Sequence, residues 1–260
     1  MSEIITTFDG TEHDKEELLE DMMDDDFYYG YLGKEALSCS LLKVLLKSPK
    51  QYVDLIENGQ KETQALRDGK LLHMAVLEKD KFDALTVVEV KSKNTKAYKE
   101  AVEEYGTVYT RNEIDTALNL AESLHANQKV RNILQDALFE VPNIAMIEGI
   151  PFRGKADILK GKQIIDVKTT MDIKKFKYSA YKYGYDLQAY LYLQLFPEAT
   201  EFVFLCVDKA TKDIAIFECS DEFLESGKEK LERGLQKYKD FFSVDNSEEV
   251  ISQFVIRRTI

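Results

Sequence analysis

The sequence predicts an α/β protein of the α+β kind, with a largely helical first half and a sheet gathered in the second half. Between Ser38 and Leu138 apolar residues recur at helical spacing, whereas between Asn143 and Glu218 they collect in short, β-branched runs closed by turn residues. A composition of 44% hydrophobic and 32% charged residues in 260 is that of a folded chain able to bury a substantial core. The division expected is residues 1–29 as an acidic lead-in and 30–260 as one domain, with 30–138 mainly helical and 139–245 the chemical core.

Residues 1–29 hold eleven Asp and Glu against Lys15 alone, so this segment carries −10 of the chain's −12. Such a run reads as a solvated, flexible tail, helical at most in part. Its Asp21–Tyr29 stretch also has the composition of a nucleic-acid mimic that would lie in a basic cleft. From Ser38 to Ile56 two short helical pieces are expected, split at Ser48-Pro49 and capped by Ser38 or Ser40. Thr63–Leu77 forms the next helix, with Leu66, Leu72, Val76 and Leu77 inward and Gly69 admitting another backbone. His73 shares the side of Gly69 and Leu77, and taken alone it is a hydrogen-bonded core histidine. Phe82–Val90 is β-prone, Asn94–Glu104 a polar helix, and Arg111–Leu138 a long amphipathic helical region starting near Asn112.

Asn143–Ile147 is the first expected core strand, turning at Glu148-Gly149 into a hairpin of Phe152–Leu159 and Gln163–Val167 around Lys160-Gly161-Lys162. Tyr181–Leu195 follows as an aromatic-rich helix with Gln188 and Tyr192 on one face. Glu201–Val207 and Ile214–Glu218 form a second hairpin, Asp221 caps a helix to about Phe242, and the last segment is irregular. The three cysteines, scattered and odd in number, fit neither a disulfide framework nor a zinc or iron–sulfur site. With no apolar run of membrane length and no export signal, the expectation is a soluble protein of the cytoplasm.

The first hairpin concentrates the chemistry. Asp166 and Lys168 share a strand face, and an even loop pairing Leu159 with Ile164 sets Asp157 opposite Asp166. Two carboxylates so placed repel unless a cation lies between them. The net charge argues against a polyanionic partner, yet Lys160, Lys162, Lys168, Lys174, Lys175, Lys177 and Lys182 surround this stretch against Asp166 and Asp172 only. Phosphodiester hydrolysis needs an activated water and charge on the scissile phosphate. Asp157 and Asp166 supply ligands for Mg²⁺, for which Mn²⁺ should substitute, and the Val167 carbonyl adds an oxygen where the strand edge is open. Lys168 orients or deprotonates the water or neutralises the transition state, and His73 adds a nitrogen donor.

Arg153-Gly154-Lys155-Ala156-Asp157, Ile165-Asp166-Val167-Lys168-Thr169-Thr170 and Gln188-x-x-x-Tyr192 resemble the PD-(D/E)XK nuclease superfamily in its RecB-like branch. The likeness extends to phage and prophage exonucleases of the exonuclease VIII (RecE) type through Leu37–Lys43, Ser48-Pro49-x-x-Tyr52, Gly69–Glu78 and Lys175-Phe176. These blocks span residues 30–205 in the family's order. The resemblance implies a central mixed sheet flanked by helices with an N-terminal helical extension. It also implies a magnesium-dependent exonuclease that degrades linear duplex DNA 5′→3′ and leaves a 3′ single strand for a RecT-like annealing protein, assembled as a ring such as a tetramer in a bacterial cell. By matched position His73, Asp157, Asp166 and the Val167 carbonyl hold metal, Lys168 serves the water, and Gln188, Tyr192, Tyr185, Arg153, Thr169 and Lys175 face DNA. The family's further acidic ligand falls on Glu140 or Glu148. The alternatives are a catalytically silent DNA-binding or assembly module on the same fold, and a Cas4-like or other PD-(D/E)XK nuclease. Lys79 stands where the family has proline.

Overall fold

The computed structural model describes residues 3–90, 92–243 and 247–256. The acidic N-terminal segment is folded onto the body, contrary to the expectation of a solvated lead-in. Strands β1 (Ile4–Thr6) and β2 (Glu12–Asp14) pair antiparallel, and the Asp14 side chain accepts from Glu16 and Glu17 N–H to cap α1 (Lys15–Asp21). A π-helical turn at Phe27–Tyr31 leads into α2 (Leu32–Glu35). Ile5, Leu18, Met22, Tyr28 and Leu32 bury themselves against Ile144 of the main sheet. Ile5, Leu18, Met22 and Tyr28 therefore share one inner face, while Ile4, Met23 and Tyr29 stay exposed with most of the carboxylates.

Ser38 and Ser48 cap α3 (Cys39–Lys47) and α4 (Pro49–Asn58), with Pro49 in the first helical turn, where its missing N–H costs nothing. Thr63 caps α5 (Gln64–Leu77), which runs into the short α6 (Lys79–Asp83). Gly69 has open space around it, so no neighbouring backbone uses it as expected. The β-prone stretch yields only β3 (Val87–Val88), paired in parallel, beyond α7 (Lys96–Tyr105), with β4 (Tyr109–Thr110). Thr110, two residues before the expected cap, forms a reciprocal capping box with Glu113 at the start of α8 (Arg111–Ala126), and α9 (Gln128–Leu134) follows.

The main sheet contains β5 (Leu138–Ile147), β6 (Ile150–Lys160), β7 (Gln163–Thr170), β8 (Glu201–Asp208) and β9 (Ile214–Glu218), in that spatial order. All neighbours are antiparallel except β7 and β8. The parallel pair needs a crossover, which α10 (Phe176–Lys182) and α11 (Tyr185–Leu195) supply. Gly184, at φ 66, separates these two helices where one was expected. The helix α12 (Asp221–Phe242) is capped by Ser220 rather than Asp221, and α13 (Ser247–Ser252) lies in the segment expected to be irregular.

Alternation along β7 and β8 sends Ile164, Phe202, Phe204 and Cys206 to a face covered by α3, α11 and α12. Ile165, Val167, Val203, Leu205 and Val207 go to the opposite face, under α5, α8 and α9. Each large side chain buried in these layers contributes about 1.5–3 kcal/mol. Asp166 and Lys168 thus belong to the first face, while His73 approaches from the second. Two glycines permit close crossings: a Cβ at Gly154 would lie 2.7 Å from Leu195 Cδ1, and one at Gly227 would lie 2.8 Å from Tyr190 Cβ and overlap the Asp186 carbonyl. Among the described residues no helix is long and apolar enough to cross a membrane.

Candidate active site

The hairpin has the expected register, with Leu159 opposite Ile164, and it closes through Gly161-Lys162 at a Gly161 φ of 58. The ladder between β6 and β7 stops at Ile158–Ile165, while β7 stays paired with β8 to Thr170–Asp208. Beyond that point the strands part, and Val167 presents both backbone groups to the fork. Its N–H donates to Asp157 Oδ2 at 2.8 Å, and its carbonyl accepts from His73 Nε2 at 2.8 Å. A carbonyl can only accept, so Nε2 carries a proton in this arrangement. Beside Val167 the strand edge is thus unpaired with β6, and side chains occupy its two backbone groups.

Of the two candidate acids, Glu140 is the one that stands at the fork. It has φ 50 within β5, and the register skips its pairing with Asp157 while Phe139–Ile158 and Val141–Ala156 form on either side. A left-handed glutamate costs about 1–2 kcal/mol, so the surrounding ladder holds it there. Glu140 Oε1 lies 4.0 Å from His73 Nδ1, and Asp157 Oδ2 lies 3.3 Å from His73 Nε2. One donor atom from each of His73, Glu140 and Asp157 falls within 4.8 Å of the others. Glu148 sits in the β5–β6 turn, ion-paired to Lys239 at 2.7 Å.

Asp157 and Asp166 do not stand as the facing pair that simple alternation gives. Ala156 packs on the face of α11 and Ile158 on that of α5, so β6 changes sides at Asp157, whose carboxylate turns into the fork. Asp166, 3% exposed, keeps to the α11 side. Its Oδ1 accepts from Gln188 Nε2 at 2.6 Å, and its Oδ2 meets Lys168 Nζ at 2.5 Å but receives no well-directed hydrogen bond. Lys168 Nζ also lies 5.1 Å from the Tyr185 ring centre. Tyr192 OH donates to the Lys155 carbonyl at 3.2 Å, tying α11 to β6 one turn from Gln188. Gln188 and Tyr192 therefore line the cleft and also brace the strands beneath it.

Arg153 lines the cleft but its guanidinium is engaged by residues near the N-terminus. It is 6% exposed, donates through Nε to the Leu32 carbonyl at 2.9 Å, and stacks 4.3 Å from the Tyr28 ring centre. Thr169 is half-buried near the end of β7, and Lys175 is exposed beside Asp172 at 3.4 Å. Of the N-terminal acids, Asp25 pairs with Lys155 at 3.0 Å and Lys81 at 2.5 Å. The segment reaches the cleft through these contacts and its tyrosines, not as an extended strip of carboxylates. The cleft itself, about 690 Å³, runs from Tyr28 and Tyr29 past Ser38 and Lys43 to His73, Glu140, Asp157 and Gln188. Tyr28, Lys43 and Lys155 were not singled out from sequence; Lys155, on the same strand as Asp157, was the visible signal.

Burial drives the carboxyl chemistry. It pushes Glu140 up to about 8, reinforced by Asp157 and opposed by His73. It pushes Asp157 up to about 6, with His73 opposing and Asp166 reinforcing. Burial disfavours the charged form of His73, yet the adjacent Asp157 carries its net shift upward. Lys168 is likewise raised: burial opposes, but Asp166 and Asp157 prevail, so it is an ammonium at neutral pH. A set of buried carboxylates holding on to protons gains from positive charge. Carboxylate, carbonyl and imidazole donors on one side of a cleft fit a hard divalent cation such as Mg²⁺ or Mn²⁺.

A family model described as a PDDEXK-like domain of unknown function (DUF3799) matches residues 38–249. No curated protein matches the sequence. Among solved structures, a protein named as an exonuclease from Eubacterium rectale superposes with a TM-score of 0.64 at 16% identity, over 91% of this chain and 95% of that one. A phage-related exonuclease from Haemophilus somnus 129PT aligns over 82% of this chain and 97% of that one, at 18% identity and a TM-score of 0.34.

Proposed function

Because the chain belongs to the PDDEXK-like domain family DUF3799, whose fold it shares, we propose that it is a metal-dependent exodeoxyribonuclease acting on the ends of linear duplex DNA. The observation that carries this reading is the fork between β6 and β7, where His73, Glu140, Asp157 and the Val167 carbonyl converge beside Asp166 and Lys168. His73, Glu140, Asp157 and the Val167 carbonyl would hold Mg²⁺, with Asp166 the adjoining carboxylate. When bound, the cation supplies Lewis-acid charge to the scissile phosphate and lowers the pKa of a coordinated water.

The chain's own groups do the rest. Lys168, an ammonium held by Asp166, offers positive charge to the phosphate oxygens and a proton donor to orient the water. Its raised proton affinity favours this role over general-base chemistry. Gln188 fixes one oxygen of Asp166, so the other is committed to the Lys168 side. The 5′→3′ direction, the 3′ single-stranded product, its handover to a RecT-like annealing protein, the homo-oligomeric ring and the bacterial cytoplasm all belong to this proposal through the resemblance of the motif blocks.

The test is end-labelled linear duplex DNA incubated with Mg²⁺, with Mn²⁺ and with EDTA, beside Asp166→Ala and Lys168→Ala. Expected are metal-dependent release of nucleotides from 5′-labelled ends, slower loss from 3′ labels, an intact closed circle, and inactivity of both variants. Full activity in the variants, or no metal-dependent loss of nucleotides, contradicts the assignment, the latter favouring a silent DNA-binding module. Nicking of the circle would make the enzyme an endonuclease.

A further inference from the structure

We propose that the groove between α3, the α10–α11 junction and α12 is a path for single-stranded DNA leading away from the fork. This rests on the nuclease reading for the identity of the polymer. The groove encloses about 710 Å³ and presents Lys43, Lys47, Lys182, Lys230, Arg233 and Lys237 against Asp240 as its one lining carboxylate. In a chain of net charge −12 this is a local reversal of sign, and it is built rather than incidental.

Two of the cations are anchored. Lys230 pairs with the fully buried Asp186 at 2.5 Å, and Lys237 donates to the Leu46 carbonyl at 2.9 Å. Among the described residues Lys43, Lys47, Lys182 and Arg233 form no ion pair within the groove or outside it, which leaves their charge for a ligand. A polymer of phosphates is the chemistry that matches several unpaired cations spaced along a trough.

Aromatic rings select the unpaired form. Tyr183 is 55% exposed and Tyr181 37%, and Lys182 Nζ lies 5.6 Å from the Tyr183 ring centre. Exposed rings interleaved with cations stack on bases, and only a single strand offers base faces to them. The groove and the cleft adjoin at Lys43. Lys43 lines both cavities, with Nζ 5.3 Å from the Tyr185 ring centre, and Lys168 Nζ lies 5.1 Å from that same centre. A strand whose phosphate sits at Lys168 can thus continue over Tyr185 and Lys43 onto Tyr183.

The experiment is fluorescence anisotropy of a fluorescein-labelled oligothymidylate with the full chain in EDTA. Compared with wild type are Lys182→Glu/Arg233→Glu, Tyr183→Ala and Tyr183→Trp. Charge reversal at the two exposed cations should weaken binding at least about tenfold and flatten the slope of log Kd against log salt by about 1.4, two phosphate contacts' worth. Tyr183→Ala should cost about fivefold, be rescued by Tyr183→Trp, and have no effect on an oligomer of abasic sites. Unchanged affinity in these variants, or equal losses on blunt duplex, overturns the single-strand path. If wild type cleaves with Mg²⁺ while the groove variants keep their affinity, the path is wrong and the nuclease stands. If wild type never cleaves but the groove variants lose affinity, the path stands and the nuclease reading falls.

Discussion

Replacing Glu140 by Gln removes one half-buried carboxylate while keeping its size, and the consequence depends on pH. The Glu140 carboxyl moves from an ordinary 4.5 to about 8, mainly through burial and through Asp157. The native state therefore binds a proton that the unfolded chain releases between these limits, so native stability falls as pH rises from 4.5 to about 8. At about 1.4 kcal/mol per tenfold change in proton affinity, the full rise corresponds to about 5 kcal/mol. Relaxation and solvent around a side chain 21% exposed reduce it to on the order of 1–3 kcal/mol. Asp157 and His73, also shifted upward, push in the same direction. Urea melts of wild type and Glu140→Gln in EDTA, at pH 5.5 and pH 8, measure the difference. Wild type should lose stability between the two, Glu140→Gln should lose less by that margin, and Mn²⁺ should stabilise wild type more than the variant at pH 8. Equal losses in the two proteins would refute the placement of Glu140 among buried carboxylates.

Three further outcomes follow from the geometry. Lys168→Met should lower the rate of duplex cleavage at least about a hundredfold and weaken DNA binding by far less, measured by single-turnover digestion and anisotropy. Gln188→Leu deprives Asp166 Oδ1 of its donor at 2.6 Å and should lower cleavage about tenfold or more, with Gln188→Glu no better because it adds a like charge; the same digestion reads it. Gly227→Ala drives a methyl against the Asp186 carbonyl and Tyr190 Cβ, so α11 and α12 must separate; urea melts should show a loss of about 1–3 kcal/mol.

The parts of this account legible in sequence are those that rest on local periodicity. The register of the hairpin is the one an even loop gives, which the sequence left open, and the shared face of Asp166 and Lys168 followed from the two-residue repeat of a strand. The pairing of Gln188 with Tyr192 on one face followed from the helical repeat, although their partners, Asp166 and the Lys155 carbonyl, did not. What sequence could not supply depends on contacts between distant segments. Nothing about Glu140 announces a left-handed backbone, because the conformation is imposed by β6 rather than favoured by glutamate. The N-terminal segment looked like a tail because charge outnumbers apolar side chains there. Its few apolar residues suffice because Ile144, far along the chain, completes their cluster. The partners of Arg153 were hidden for a related reason: the Tyr28 ring comes from that segment and the Leu32 carbonyl from the short helix just after it.

The central claim is that the fork between β6 and β7 is a divalent-cation site, and a crystal soaked in Mn²⁺ and measured at the manganese absorption edge tests it most directly. An anomalous peak is expected within coordinating distance of Glu140 and Asp157, with His73 or the Val167 carbonyl completing its protein ligands. A peak bound elsewhere with none in the fork, in a protein whose cleavage requires Mn²⁺, would contradict it.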